Sequence, residues 1–145
     1  MKAIFLDVDG VLNTPKTIRK FGFDFIDDIL VALVARIIRE TNAVVVLSST
    51  WRIQEKDRNV VIQALDQHNL KIHDCTPVIE RPFEQGWVRR HEEIQAWIDQ
   101  NPVTKFAIID DFEDAEIQGS FFKTDENFGI TVGIAEKIIQ HLNAE

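Results

Sequence analysis

The sequence predicts an α/β fold, with a mainly parallel sheet of about five strands and helices on both faces. Three observations carry that prediction. Short continuous apolar runs, Ala3-Ile4-Phe5-Leu6, Ala43-Val44-Val45-Val46-Leu47 and Phe106-Ala107-Ile108-Ile109, read as strands buried on both faces. The segments between them place apolar residues at helical spacing. Each apolar run also gives way abruptly to polar residues, as strands do where they leave a core.

The first strand closes on Asp7-Val8-Asp9-Gly10-Val11-Leu12-Asn13, where Gly10 permits a sharp change of chain direction. Phe21, Phe23 and Phe25 alternate around Gly22, which suits a hairpin flap, with core packing of the same rings as the competing reading. Ile26, Ile29, Leu30, Leu33, Val34, Ile37 and Ile38 form a strong helical stripe, with Asp27 and Asp28 at its start and Arg36 and Arg39 near its end, as the helix dipole prefers. Asn42 breaks the pattern before the second strand. A helix over Glu55 to Gln67 buries Val60, Val61, Ala64 and Leu65, and a weaker strand limited by Pro77 falls within Leu70 to Val78. Another helix runs from near Val88 to Gln100, turns Ile94, Trp97 and Ile98 inward, and stops at Asn101-Pro102. After the Phe106–Ile109 strand, Phe121-Phe122 begins a short fifth strand. The last helix is capped by Thr131 and buries Val132, Ala135, Ile138, Ile139 and Leu142. The expected architecture is a Rossmann-like three-layer sandwich in one domain over residues 1–145, enough chain to bury a sizeable core.

Composition narrows the function classes. The net charge of −8 argues against a broad nucleic-acid footprint, while leaving room for a local basic groove. Cys75 is the only cysteine, so no internal disulfide forms, which suits a reducing cytoplasm. The start of the chain shows no signal-peptide pattern and no apolar run approaches membrane-spanning length, so the expectation is a cytoplasmic protein without a membrane partner. His68, His73, His91 and His141 are scattered and show no metal-ligand spacing.

The chemistry gathers at strand ends, where open α/β sheets bind ligands. Asp7 and Asp9 place two like charges at one mouth, an arrangement that calls for a cation between them or a shared proton. Magnesium fits, because it takes hard oxygen ligands. The second strand ends in Ser48-Ser49-Thr50-Trp51-Arg52, and the fourth in Asp110-Asp111 with Glu113 and Asp114 close behind. Capping the next helix is the plain structural role for Ser49 and Thr50, and packing is that for Trp51. Arg52 either contacts substrate or joins a surface ion pair.

These segments resemble, in order, the motifs of the haloacid dehalogenase superfamily of phosphohydrolases. Asp7-Val8-Asp9-Gly10-Val11-Leu12 is similar to its first motif, and Val44-Val45-Val46-Leu47-Ser48 to its second. Arg89 or Arg90, at the head of a helix, can serve as the basic residue of the third, and Phe106-Ala107-Ile108-Ile109-Asp110-Asp111 is similar to the fourth. The run Leu47-Ser48-Ser49-Thr50-Trp51-Arg52, with Arg90-His91-Glu92-Glu93-Ile94-Gln95-Ala96-Trp97, further resembles a subgroup linked to bacterial and phage RNA-repair proteins.

The resemblance implies a phosphatase in which Asp7 is the nucleophile and Asp9 the acid and base. It implies that Mg2+ is held by the carboxylates of Asp7 and Asp111 and by the backbone carbonyl of Asp9, with Asp110 the alternative because either acid can point inward. Phosphate falls to Ser48, with Ser49 competing, and to Arg90 in preference to Arg89. The superfamily's phosphatases carry an acid at the position of Asp9, which its dehalogenases lack. The short interval from Asn13 to Ser48, and the helix, strand and loop that fill Arg52 to Arg89, leave no room for a cap domain. An open site suits a bulky phosphorylated substrate, such as a nucleic-acid end or a phosphoprotein, or completion by a partner chain. The competing class is a module that binds a phosphorylated ligand without turning it over.

Overall fold

The computed structural model describes all of residues 1–145. The chain runs β1 (Lys2–Leu6), α1 (Pro15–Phe21), α2 (Asp28–Thr41), β2 (Val44–Leu47), α3 (Glu55–Asp66), β3 (Ile72–Cys75), α4 (Arg90–Asp99), β4 (Lys105–Asp110), β5 (Phe121–Lys123) and α5 (Val132–Asn143). Single 3-10 turns occupy Thr50–Arg52, Phe83–Gln85 and Glu113–Ala115. All five strands are parallel, in the order β3-β2-β1-β4-β5, so β1 is central and every strand's carboxyl end opens on one edge.

Side-chain alternation along the strands divides the core in two. Ile4, Leu6, Val45, Leu47, Ala107 and Ile109 face α2, α3 and α5 and form the larger cluster with Val34, Ile37, Leu65 and Ile138. Ala3, Phe5, Val46 and Ile108 face the other way, onto Ile94 and Trp97 of α4. Phe5 anchors this smaller core edge-on, its ring 5.6 Å from Trp97 and 5.8 Å from Phe106. The Trp97 indole N–H donates to Asp74 Oδ2 at 2.7 Å, which ties α4 to β3.

Local signals set the boundaries. Asp27 accepts from the Ile29 amide as the N-cap of α2, and Asn42 ends that helix in the left-handed region at φ 58°. Thr131 accepts from the Ile134 amide and caps α5. The helix expected from Val88 begins two residues later at Arg90, and the weak strand shrinks to Ile72–Cys75.

Two expectations are corrected. The Phe21–Phe25 segment is not a hairpin flap, nor are its rings core. Thr14 and Thr17 cap one another, side chain to backbone, and Pro15 occupies the first turn, so the chain folds into α1. Phe21 stacks on Phe25 at 4.6 Å, and Phe23 is 86% exposed. Val132, expected inside, is exposed, because the buried face of α5 is the one that carries Ala135, Ile138 and Leu142, and Val132, the first residue of the helix, precedes it. Neither interval between the motif-bearing strands contains a cap domain. No helix is long and apolar enough to cross a membrane.

Candidate active site

The backbone ladder continues one residue past the strands and fixes what stands at their ends. The Asp7 amide donates to Ile109 O at 3.1 Å, Ser48 to Leu6 O at 3.0 Å, Thr76 to Leu47 O at 3.0 Å and Thr124 to Asp110 O at 3.0 Å. Parity then decides direction. Asp7 follows Ala3 and Phe5, Ser48 follows Val46, and Asp110 follows Ile108, so all three turn toward the α4 side of the sheet. Arg90, the first residue of α4, meets them there. Its Nη1 lies 3.8 Å from Asp7 Oδ1 and also donates to the Ser48 carbonyl. Arg89, one residue earlier, is exposed, and its amide is satisfied by Glu92 Oε2 at 2.6 Å.

Carboxylate oxygens of Asp7, Asp110 and Asp111 all lie within 4.8 Å of one another. Asp111 reaches the group because Gly10 has no side chain: a Cβ there would stand 2.3 Å from Asp111 Oδ2, and the glycine's φ of +76° is itself unfavourable for other residues. The Gly10 carbonyl is held by the buried Thr124 hydroxyl at 2.7 Å.

Burial makes this acidic group electrostatically unbalanced. It pushes the Asp7 carboxyl up to about 6, against the pull of Arg90. Asp110 is pushed to about 9 by burial and by the neighbouring Asp7 charge, despite accepting from the Phe112 amide at 3.0 Å. Three hard oxygen donors with an excess of negative charge and one guanidinium between them fit a divalent cation such as magnesium.

Ser48 and Ser49 separate cleanly. Ser48 is fully buried and its Oγ has no partner, an uncommon condition that leaves a donor free at the strand end. Ser49 Oγ accepts from the Trp51 amide at 3.2 Å and caps the 3-10 turn.

Asp9 departs from strand regularity. The chain coils after Asp7, with Val11 and Leu12 amides both donating to Val8 O, so Asp9 is exposed and its carboxylate stands apart from the other three. It is held by Asn13 Nδ2 at 3.0 Å and by the Trp51 indole N–H at 3.1 Å. Trp51 therefore orients an acid as well as packing.

Arg52 is neither a surface ion pair nor a substrate contact. It is 5% exposed and donates to the carbonyls of Thr76, Ser48, Ser49 and Pro77, while Glu93 of α4 accepts from it at 3.0 Å. It staples the ends of β2 and β3 to the helix that carries Arg90. Sequence reasoning assigned no role to Asn13, Thr124 or Glu93. Only Glu93 left a trace, as an acid beside the inward-facing Ile94 at the head of α4.

A central aspartate ringed by two more acids, a free hydroxyl and one guanidinium, all delivered by the carboxyl edge of a capless parallel sheet, defines a protein of the haloacid dehalogenase class. Within that class the chain belongs to the HAD domains found in Swiss Army Knife RNA repair proteins, whose family model matches residues 3–133. No curated protein and no solved structure matches it.

Proposed function

We propose that the protein is a magnesium-dependent phosphomonoester hydrolase that works through an aspartyl phosphate on Asp7. The observation that carries this reading is the position of Asp7, between Arg90 at 3.8 Å, the acids Asp110 and Asp111, and the unpartnered Ser48 hydroxyl. A phosphoryl group set against Asp7 would have one oxygen within reach of Ser48 Oγ and its charge opposed by Arg90.

Asp7 attacks phosphorus with a carboxylate oxygen, and the ester oxygen leaves with a proton from Asp9. In the second step Asp9 takes a proton from water, the resulting nucleophile attacks the acyl phosphate, and the P–O bond to Asp7 breaks to release inorganic phosphate. Asn13 and Trp51 hold Asp9 for both transfers. Magnesium, when bound by the carboxylates of Asp7, Asp110 and Asp111 with the backbone carbonyl of Asp9, would supply charge compensation for the phosphoryl oxygens.

For the substrate, the family's occurrence in RNA repair proteins and the absence of a cap favour a phosphate at a nucleic-acid end. A reducing cytoplasm suits a chain with a single cysteine, Cys75. Hydrolysis of an aryl phosphate tests the chemistry: we expect turnover that requires Mg2+ and disappears in Asp7→Asn. Full activity of that variant, or activity indifferent to chelator, refutes the mechanism. Phosphorylated oligonucleotides assayed beside nucleotides and sugar phosphates test the substrate class, and a preference for the small metabolites refutes it.

A further inference from the structure

Helix α1 is the one helix that buries none of its residues, although a reciprocal threonine cap and Pro15 define its start. Its charge is as one-sided as its packing. Lys16, Arg19 and Lys20 occur at i, i+3 and i+4, which sets them on one face. All three are exposed and none forms an ion pair, in a chain whose net charge is −8. Phe23 follows immediately, 86% exposed.

This element borders the site. Ile18, Arg19 and Phe23 form one wall of a cleft of about 530 Å3, Trp51 lies opposite, and Asp9, whose carboxylate the Trp51 indole holds, belongs to both cleft and site. A group leaving toward Asp9 would leave into this cleft. Asp24 and Asp57 also line it, so with Asp9 there are three carboxylates against Arg19. Arg19 is thus already opposed by carboxylates, so phosphates are disfavoured inside the cleft, where an uncharged base and sugar are not, and favoured at Lys16 and Lys20, which do not line it.

We propose that the cleft between α1 and Trp51 receives the terminal nucleoside of a single-stranded polynucleotide, and that Lys16 and Lys20, which stand outside the cleft, carry its adjoining backbone phosphates. The proposal rests on the phosphatase reading for the location of the terminal phosphate, and extends it by fixing the path of the strand. Aromatic stacking on Phe23 and Trp51 supplies a sequence-tolerant contact, and the helix face supplies the salt-sensitive one.

Fluorescence-anisotropy titration of the full-length Asp7→Asn protein with short 3′- and 5′-phosphorylated RNA and DNA strands tests it. The expected dependence of log Kd on log salt has a slope of magnitude about 1.4, from two single-strand phosphate contacts. Lys16→Glu/Lys20→Glu should flatten that slope and weaken binding at least about tenfold, and Phe23→Ala should weaken it about tenfold with the slope retained. Unchanged affinity and slope in the double variant overturn the proposal. So does equal or tighter binding of a mononucleotide or an acidic phosphopeptide. Aryl phosphate hydrolysis by the native protein without oligonucleotide binding overturns the strand path and leaves the phosphatase reading intact. Binding through α1 with no hydrolysis of any ester upholds the path and overturns the catalytic reading.

Discussion

Asp110 and Asp7 are buried side by side, and their raised carboxyl values have a thermodynamic consequence. Each binds its proton more tightly in the folded chain than in the unfolded one, from an ordinary 3.8 to about 6 for Asp7 and about 9 for Asp110. Over those intervals the native state holds more protons, so stability is greatest on the acid side and falls as pH rises through them. The melting temperature of the metal-free protein should therefore be lower at pH 8 than at pH 5, and added Mg2+ should recover part of the loss. Asp110→Asn removes the buried charge and should flatten this profile while abolishing the Mg2+ response; calorimetry across pH checks both. Ser48→Ala separates activity from stability. Its hydroxyl is buried without a partner, so its loss should change stability by less than about 1 kcal/mol. If Ser48 donates to the phosphoryl group, kcat should nevertheless fall by about 100-fold. Gly10→Ala should do the opposite kind of damage, costing about 1–3 kcal/mol for its φ of +76° and displacing Asp111, with weaker Mg2+ binding by titration calorimetry as the readout.

Among the elements, the turn after β2 is held by one side chain. Arg52 satisfies four backbone carbonyls that no neighbouring strand reaches, and Glu93 accepts both its guanidinium and the Ile79 amide, at 3.0 Å each. Burial pulls the Arg52 guanidinium down and Glu93 opposes that pull. Arg52→Ala should cost about 3–5 kcal/mol in chemical denaturation, because it leaves the Glu93 carboxylate without its counter-charge and the Thr76 and Pro77 carbonyls without their donor. Glu93 lies one helical turn from Arg90, so the same substitution should also loosen the guanidinium that faces Asp7. Recovery of stability in Arg52→Lys should be partial, since an ammonium cannot reproduce the planar fork.

Across the whole molecule, the two faces of the sheet are unequal. The α2–α3–α5 side holds most of the buried apolar residues, whereas the α4 side depends on a small cluster centred on Phe5 and Trp97. The catalytic proposal relies on the thinner side, because Arg90 travels with α4. Phe5→Ala should cost about 3–5 kcal/mol and lower activity as well, whereas a truncation of equal cost on the other face, such as Ile138→Ala, should lower stability with less effect on turnover. Paired denaturation and rate measurements check the contrast. The capless carboxyl edge also predicts that turnover does not fall as the substrate grows, which a length series of phosphorylated oligonucleotides tests.

Much of this was legible in the residues because apolar periodicity is local. Runs such as Val44–Leu47 and the Val34 and Ile37 positions of the α2 stripe declare their burial whatever their neighbours are, although Ile29, expected in the same stripe, is 75% exposed in the first turn of the helix. The strand-end acids and hydroxyls were legible for the same reason, since a parallel sheet delivers every strand end to one edge. Period two went further than expected, putting Asp7, Ser48 and Asp110 on the side of Arg90. It failed at Asp9, where the coil from Val8 to Leu12 replaces the strand.

By itself the sequence determined the element order, the parallel α/β class and the strand ends at which chemistry collects, since each follows from burial and turn preference within a few residues. The tertiary structure alone decided the partners of the charged and polar groups: Arg52 inside with Glu93, Trp51 on Asp9, Asp110 beside Asp7 and Asp111, and α1 with its cations outside any ion pair. A charged side chain gives no periodic signal, and whether it is buried, paired or left to solvent depends on groups tens of residues away that only the folded chain brings within ångströms of it.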